Sequence, residues 1–252
     1  MLFIAPLFAL AAYALFLATI LYTIGFVGNL PFVPRTIDGG AAGPLAQAAA
    51  VDLALFVLFA VQHSVMARRR FKKWWTRWVP EPVERATYVL AASAALALLL
   101  WQWRPMPAPL LWSVDAPVPR AVLEGVFWAG WGVLLLATYL IDHFELFGLR
   151  QPWARLRGQP APAAEFRTPL LYKHVRHPIY VGFLLAFWAT PRMTAGHAIF
   201  AAASTAYILV GIWFEERDLV AQFGQRYLAY RRQVGMLVPR LWRGRGREPA
   251  DS

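Results

Sequence analysis

The chain has no cysteine. That absence removes thiol nucleophiles, disulfides and thiolate metal sites together, and no metal centre is implied. Acidic residues are scarce, 14 against 25 Lys and Arg, for a formal net charge of +11. Glycine-rich dinucleotide fingerprints after a plausible strand are missing too, so a Rossmann domain is not indicated. What fills the 252 residues is apolar: 59% are hydrophobic and 12 are Trp, more than a soluble domain of this size carries.

The apolar residues fall into six stretches, Leu2 to Val27, Gly43 to Met66, Ala86 to Trp103, Ala121 to Phe144, Pro178 to Thr190 and Ala195 to Phe214. The expected fold is all-α, a polytopic transmembrane helix bundle forming one domain over residues 1–252. At ~1.5 Å per residue the fifth stretch covers about two-thirds of a ~30 Å hydrocarbon core. It is therefore expected to form a hairpin with the sixth, turning at Thr190-Pro191-Arg192, which gives five full spans and one short helix. The first stretch exceeds a signal-peptide core and lacks a basic leader, so it reads as a retained helix.

Charge distribution argues against nucleic acid and for a lipid bilayer. All Lys and Arg except Arg35, Arg104, Arg120 and Arg192 lie in three blocks that the spans place on one side. One block runs from Arg68 to Arg85, another from Arg150 to Arg176, and the last from Arg217 through Arg240 to Arg243, Arg245 and Arg247. The positive-inside rule makes that side cytoplasmic, with both termini there. Proline and glycine break the two loops of the other side, at Pro31, Pro34, Gly39, Gly40 and Gly43 and again from Pro105 to Pro119. The inner segment from Gly148 to Lys173 carries Pro152, Pro160, Pro162 and Pro169, reads as irregular, and is expected over the cytoplasmic mouth of the bundle. Past Glu216, the apolar positions Val220, Phe223, Tyr227, Tyr230 and Val234 recur at helical steps between arginines, an amphipathic helix suited to the headgroup plane. The tail from Gly244 reads as disordered, and no internal repeat is visible.

Ionisable groups in or beside the spans are few: Asp52, His63, Asp142, His143, Glu145, Arg176, His177, Glu215 and Glu216. All but Asp52 fall near cytoplasmic helix ends, which predicts one polar pocket built from the ends of the second, fourth, fifth and sixth helices. Pro178 fits the first helical position, so the free N–H groups of Ile179 and Tyr180 face the turn carrying Arg176 and His177, a ready anion site. A plainer reading has Arg176 meeting lipid phosphate and His177 capping the helix. Adjacent helix positions diverge by about 100°, so Glu215 and Glu216 cannot point the same way. One can bind hydroxyls, an ammonium or a sulfonium while the other meets a neighbouring base, and a simple helix-end salt bridge is the alternative.

Taken together, Tyr172, Arg176-His177-Pro178, Tyr180, Gly182, Glu215-Glu216, Leu219, Phe223-Gly224, Tyr227, Tyr230, Val234 and Pro239 resemble the isoprenylcysteine carboxyl methyltransferase superfamily of membrane methyltransferases. A narrower likeness covers most of the chain. Gln62-His63-Ser64-Val65-Met66-Ala67-Arg68, Trp74-Trp75, Glu84 to Tyr88, Trp101 to Met106 and Asp142 to Arg150 are similar to the bacterial methanethiol S-methyltransferases and, in part, to NnrU-like membrane proteins. One departure is Gly235, where related sequences usually place proline.

The resemblance implies S-adenosylmethionine (SAM) as methyl donor, held in the part from about residue 170 to 240 by Tyr172, Arg176, His177, Pro178, Tyr180, Glu215 and Glu216. It implies a small apolar thiol as acceptor, dimethyl sulfide as product and a bacterial inner membrane as location. His143 and Glu216 are carried forward as the catalytic candidates. A small thiol is mostly protonated at neutral pH, so a base is wanted near the sulfur, and His143 or His63 can serve. Three alternatives remain at this level: an isoprenylcysteine- or phospholipid-type methyltransferase, a non-catalytic or haem-associated NnrU-like protein using His63, His143 and His177, or a transporter. The transporter is disfavoured by the near-absence of polar groups at mid-membrane depth.

Overall fold

The structure is a computed structural model and describes residues 3–160 and 166–240; Pro162 and the tail beyond Gly244, with Arg243, Arg245 and Arg247, lie outside the described residues. In chain order the elements are α1 (Ile4–Val27), α2 (Leu45–Ala67), α3 (Arg69–Trp75), α4 (Glu81–Gln102), β1 (Leu110–Ser113), α5 (Pro117–Ile141), the single turn α6 (His143–Leu146), α7 (Arg150–Leu156), a 3₁₀ turn at Leu170–Lys173, α8 (Pro178–Trp188), β2 (Arg192–Thr194), α9 (Ala195–Phe223) and α10 (Gln225–Gln233).

Five of these, α1, α2, α4, α5 and α9, are long and apolar enough to cross a membrane, and the chain is an integral membrane protein. The 11-residue α8 is the expected short partner of α9. Leu7, Leu21, Val57, Leu135 and Val210 stand exposed on the spans, as side chains facing acyl chains must. Proline marks the helix starts, in the first turn of α4 and at the first position of α5 and α8, where a missing N–H leaves no bond unmade.

At the end of the bundle carrying the β-strands, aromatic rings fill the interior. Phe26 of α1 meets Trp103 edge-on at 5.9 Å, Trp103 meets Phe200 of α9 at 5.8 Å, and Phe200 meets Phe187 of α8 at 5.1 Å. Each such pair contributes about 0.5–1.5 kcal/mol beyond its buried area. Asp52, fully buried there, accepts the N–H of Arg104 at 3.0 Å where the chain leaves α4. The same end holds a feature the sequence did not announce. β1 pairs antiparallel with β2, and Val114 N–H donates to Pro191 O at 2.8 Å, so the proline-rich loop before α5 clasps the α8–α9 turn.

Two helix boundaries differ from expectation. The sixth span does not stop at Phe214: α9 runs on to Phe223 and carries both glutamates inside it. The expected continuous tail helix is broken at Gly224, whose φ of +54° and ψ of −130° suit only glycine. Downstream of α5 the irregular inner segment contains α7, because Pro152 falls in its first turn and breaks no helical bond. Leu149, leading into α7, packs with Ala9, Ala12 and Ala86 of α1 and α4, so that stretch lies against the bundle side. Among the described residues of the segment, Phe166 reaches the mouth, where its ring packs tilted against Phe223 and edge-on against Tyr227 and Tyr230.

Candidate active site

α8 is fixed against α5 by small residues. A Cβ on Gly130 would lie 2.7 Å from the backbone of both Gly182 and Ala186, so the two helices meet main chain to main chain. This sets the start of α8, with His177 as N-cap and Pro178 at the first helical position, beside the last turns of α9.

There the ion pair forms. Arg176 Nε donates to Glu216 Oε1 at 2.7 Å, the Nε2–H of His177 reaches the same oxygen at 3.2 Å, and Arg231 Nε of α10 lies 3.3 Å from Oε2. The Arg176 and Glu216 side chains are only 8% and 10% exposed, which makes this a buried pair rather than a surface contact. Arg176 also donates to the carbonyls of Val234 at 2.5 Å and Arg231 at 3.2 Å. Backbone pairing completes the join: Arg176 N–H donates to Gly235 O at 2.8 Å and His177 N–H to Met236 O at 3.2 Å. The departure at Gly235 belongs to this strap, since a Cβ there would collide with the Val238 carbonyl oxygen.

Glu215 points elsewhere, as the helical offset requires. Its side chain is 45% exposed, and its Oε2 accepts the Tyr180 hydroxyl at 3.0 Å. His177 Nδ1 is 3.7 Å away, beyond hydrogen-bond reach. The two carboxylates therefore differ in kind: Glu216 is saturated by three cationic or ring donors, while Glu215 keeps lone pairs for a ligand.

A phenol wall closes the site. Tyr230 hydroxyl donates to Tyr172 O at 2.5 Å, and Tyr172 hydroxyl donates to Ala137 O of α5 at 3.3 Å. Tyr227 is 1% exposed, and its hydroxyl has no partner among the described residues although it lies within the field of Glu216 and Arg176. Burial raises all three phenols above their ordinary range. Tyr230 is pushed up to about 12 against the pull of Arg176 and with the charge of Glu216 adding to it. All three stay protonated donors at neutral pH.

The single pocket expected from sequence resolves into three clusters at this end of the bundle, of which the one around His63 borders Tyr180 and Glu215. His143 is not in the Arg176–Glu216 cluster. Its Nε2 bonds Tyr13 of α1 at 2.8 Å, its Nδ1 bonds Thr138 of α5 at 2.9 Å, and Tyr139 stacks on it at 4.4 Å. Both ring nitrogens are occupied, and burial holds the imidazole below its ordinary pKa. Asp142 caps α6 by accepting Glu145 N–H at 3.0 Å and pairs with Arg150. His63 forms the third cluster with Tyr88, its Nε2 2.8 Å from the phenol oxygen. The three imidazoles are thus not paired across helices as a haem would want them. Among the described residues, no group of His, Asp and Glu could hold a metal ion.

Arg231 and Phe166 belong to the site but had no functional reading in the sequence. Arg231 read as part of a basic membrane-facing surface; only the chain reversal at Gly224 turns it back onto Glu216.

Fold and site define a polytopic helical membrane protein whose polar centre joins an Arg-His-Pro helix start to a glutamate pair inside the last span. Over 237 residues the chain is 54% identical to the methanethiol S-methyltransferase of Mycobacterium tuberculosis, a match covering 94% of this chain and 96% of that protein. Identity to methanethiol S-methyltransferase 1 of Bradyrhizobium diazoefficiens is 55% over 241 residues, 96% of this chain and 83% of that one. The chain belongs to the methanethiol S-methyltransferase family. A more distant relative is human Nurim, 32% identical over 179 residues, or 67% of this chain and 66% of Nurim. No family model and no solved structure matches.

Proposed function

We propose that this protein is an enzyme that methylates methanethiol to dimethyl sulfide with SAM as donor. It works at the cytoplasmic face of a bacterial inner membrane, with both termini on that side. The observation that carries the reading is the meeting of Arg176, His177 and Glu216, from two helix ends nearly forty residues apart, in a buried cluster flanked by the half-exposed Glu215. The names and high identities of the relatives support the acceptor. The basic residues gathered at the α10 end support the sidedness.

The residues present suit the donor by their chemistry. Glu215 has lone pairs free for an ammonium or for ribose hydroxyls, the half-exposed Arg231 can meet a carboxylate, and the buried Tyr227 hydroxyl lacks a partner among the described residues. Tyr172, Arg176, His177, Pro178 and Tyr180 would shape the rest of the binding site, with Glu216 as the pin that holds the helix ends together. When bound, the donor supplies a methyl carbon activated by a sulfonium. The chain supplies position and dryness: in-line displacement at that carbon extinguishes charge, so surroundings poor in water favour the transition state over the charged reactants. Methanethiol is apolar and soluble in the bilayer, so it needs no aqueous channel.

Membranes carrying the protein, given methanethiol and SAM, are expected to release dimethyl sulfide into the headspace. No dimethyl sulfide, together with methylation of another thiol, a lipid or a prenylated peptide, would contradict the acceptor.

A further inference from the structure

His63, near the end of α2, uses only one of its ring nitrogens. Nε2 bonds Tyr88 of α4, while Nδ1 is buried with no hydrogen-bond partner among the described residues. A neutral imidazole carries one N–H and one lone pair. In the tautomer whose Nε2–H donates to the Tyr88 oxygen, the lone pair rests on Nδ1. This is the reverse of His143, whose two nitrogens are both taken.

The surroundings of His63 lead toward the donor site. Its ring lies 5.3 Å from Phe59 and 6.2 Å from Tyr207 of α9, and Ser64 Oγ donates to the Tyr207 hydroxyl at 3.3 Å. Tyr207, Gly211 and Glu215 follow one another at four-residue steps and so share one face of α9. Gly211 leaves a notch on that face: the one atom a methyl group there would meet within 4 Å is the Tyr180 hydroxyl, at 3.8 Å. That hydroxyl is bonded to Glu215, and Tyr88 and Tyr207 are its electrostatic neighbours. Tyr88, Tyr207 and Tyr180, with the glycine notch beside the last, thus form a run of neighbours from the His63 imidazole to the open carboxylate.

We propose that His63 is the general base of methyl transfer, accepting the proton of a small alkyl thiol lodged over Gly211. The inference rests on the function proposed above and assigns its missing base. The S–H bond breaks with its proton going to Nδ1, and the sulfur electron pair forms the new bond to the methyl carbon. The pair of the breaking carbon–sulfur bond stays on the donor's sulfur, now a neutral thioether, so charge and atoms balance with imidazolium as the other product. Arg85 of α4 acts on His63 directly, while Tyr207, Glu84 of α4 and Arg68 at the end of α2 act on its partner Tyr88.

The test compares wild type with His63→Gln, each in detergent or reconstituted membranes, on methanethiol and on a more acidic arenethiol. Binding is read separately as thermal stabilisation by SAM. His63→Gln is expected to lower kcat on methanethiol by roughly 10²–10⁴-fold, the range for a positioned general base. The loss on the arenethiol should be at least about tenfold smaller, because that thiol needs less help to ionise. SAM stabilisation stays, and the variant's rate climbs with pH in step with the thiolate fraction. An equal loss on both thiols, an unchanged rate, or loss of SAM stabilisation along with the rate would overturn the assignment. Should His63→Gln fail to fold, Gly211→Val decides: a raised KM for methanethiol with SAM stabilisation kept is expected, and an unchanged KM overturns the acceptor position. Wild type that is stabilised by SAM yet forms no thioether would instead remove the proposed function itself.

Discussion

Gly182 of α8 touches Gly130 of α5 so closely that a Cβ on Gly182 would sit 2.6 Å from the Gly130 carbonyl oxygen and 2.8 Å from the Leu134 nitrogen. Side chains cannot be inserted there without parting the helices, and parting them moves the Arg-His-Pro turn. Gly182→Leu is expected to destabilise the fold by about 1–3 kcal/mol or more, as overpacking does, and to abolish SAM binding at a distance. A thermal melt and a binding titration check both. Wild-type melting and affinity in Gly182→Leu would show that the close approach positions nothing.

Arg176 and Glu216 are buried together, so removing either leaves the other without its main partner. Glu216→Ala and Arg176→Ala are each expected to cost roughly 3–5 kcal/mol, the usual penalty for an orphaned buried charge. His177→Ala should cost less because Arg231 and Arg176 still hold the carboxylate. Glu216→Ala and His177→Ala should lose SAM binding while the protein still inserts into the membrane. Retained affinity in both would move the donor site elsewhere.

The α10 strap closes on the site through a few bonds, one of them Tyr230 hydroxyl to Tyr172 O. Tyr230→Phe removes that donor and leaves the ring. A loss of about 0.5–1.5 kcal/mol is expected, the net value of one hydrogen bond, appearing mainly as faster SAM release. Stopped-flow dissociation reads it directly, and an unchanged off-rate would show that the strap does not retain the ligand.

Much of this architecture was legible because it is written locally. The five spans, the short α8 and its turn at Thr190-Pro191-Arg192 follow from runs of apolar residues and the prolines between them. The divergence of Glu215 and Glu216 follows from helix geometry alone; the resemblance grouped the Arg-His-Pro turn with the glutamates, but their direct ion pair is what the structure adds. What escaped depends on which helices are neighbours. Nothing local in Leu110–Ser113 or Arg192–Thr194 shows that they pair, because strands this short gain their bonds only across the fold. The separation of His63, His143 and His177 into three clusters likewise reflects helix order. α1 packs beside α4, and its Tyr13 takes His143 away from the Arg176 turn. Arg231 was hidden for a related reason, since one glycine conformation at Gly224 decides whether it faces lipid or Glu216.

His143 offers a pH test of stability. Burial keeps its folded-state pKa below the ordinary value of about 6.5. Between the two pKa values the unfolded chain holds more protons than the folded one, so stability falls as pH drops through that window and is regained as pH rises. Asp142, Glu145, Arg150, Tyr13 and Tyr139 surround it, and comparison with His143→Gln isolates the part that belongs to the imidazole. Melting temperatures taken from about pH 7 down to about pH 5 should decline more steeply for wild type than for His143→Gln. Parallel curves would mean that His143 does not stay neutral in the fold.

The most direct measurement uses SAM carrying an isotopically labelled methyl group, supplied with unlabelled methanethiol to membranes bearing wild-type protein or Glu216→Ala, with headspace mass spectrometry of the product. Dimethyl sulfide with a single labelled methyl from wild type, and none from the inserted Glu216→Ala variant, is the expected result. Unlabelled product, or equal labelled product from both proteins, would contradict a methyl donor held where Arg176 meets Glu216.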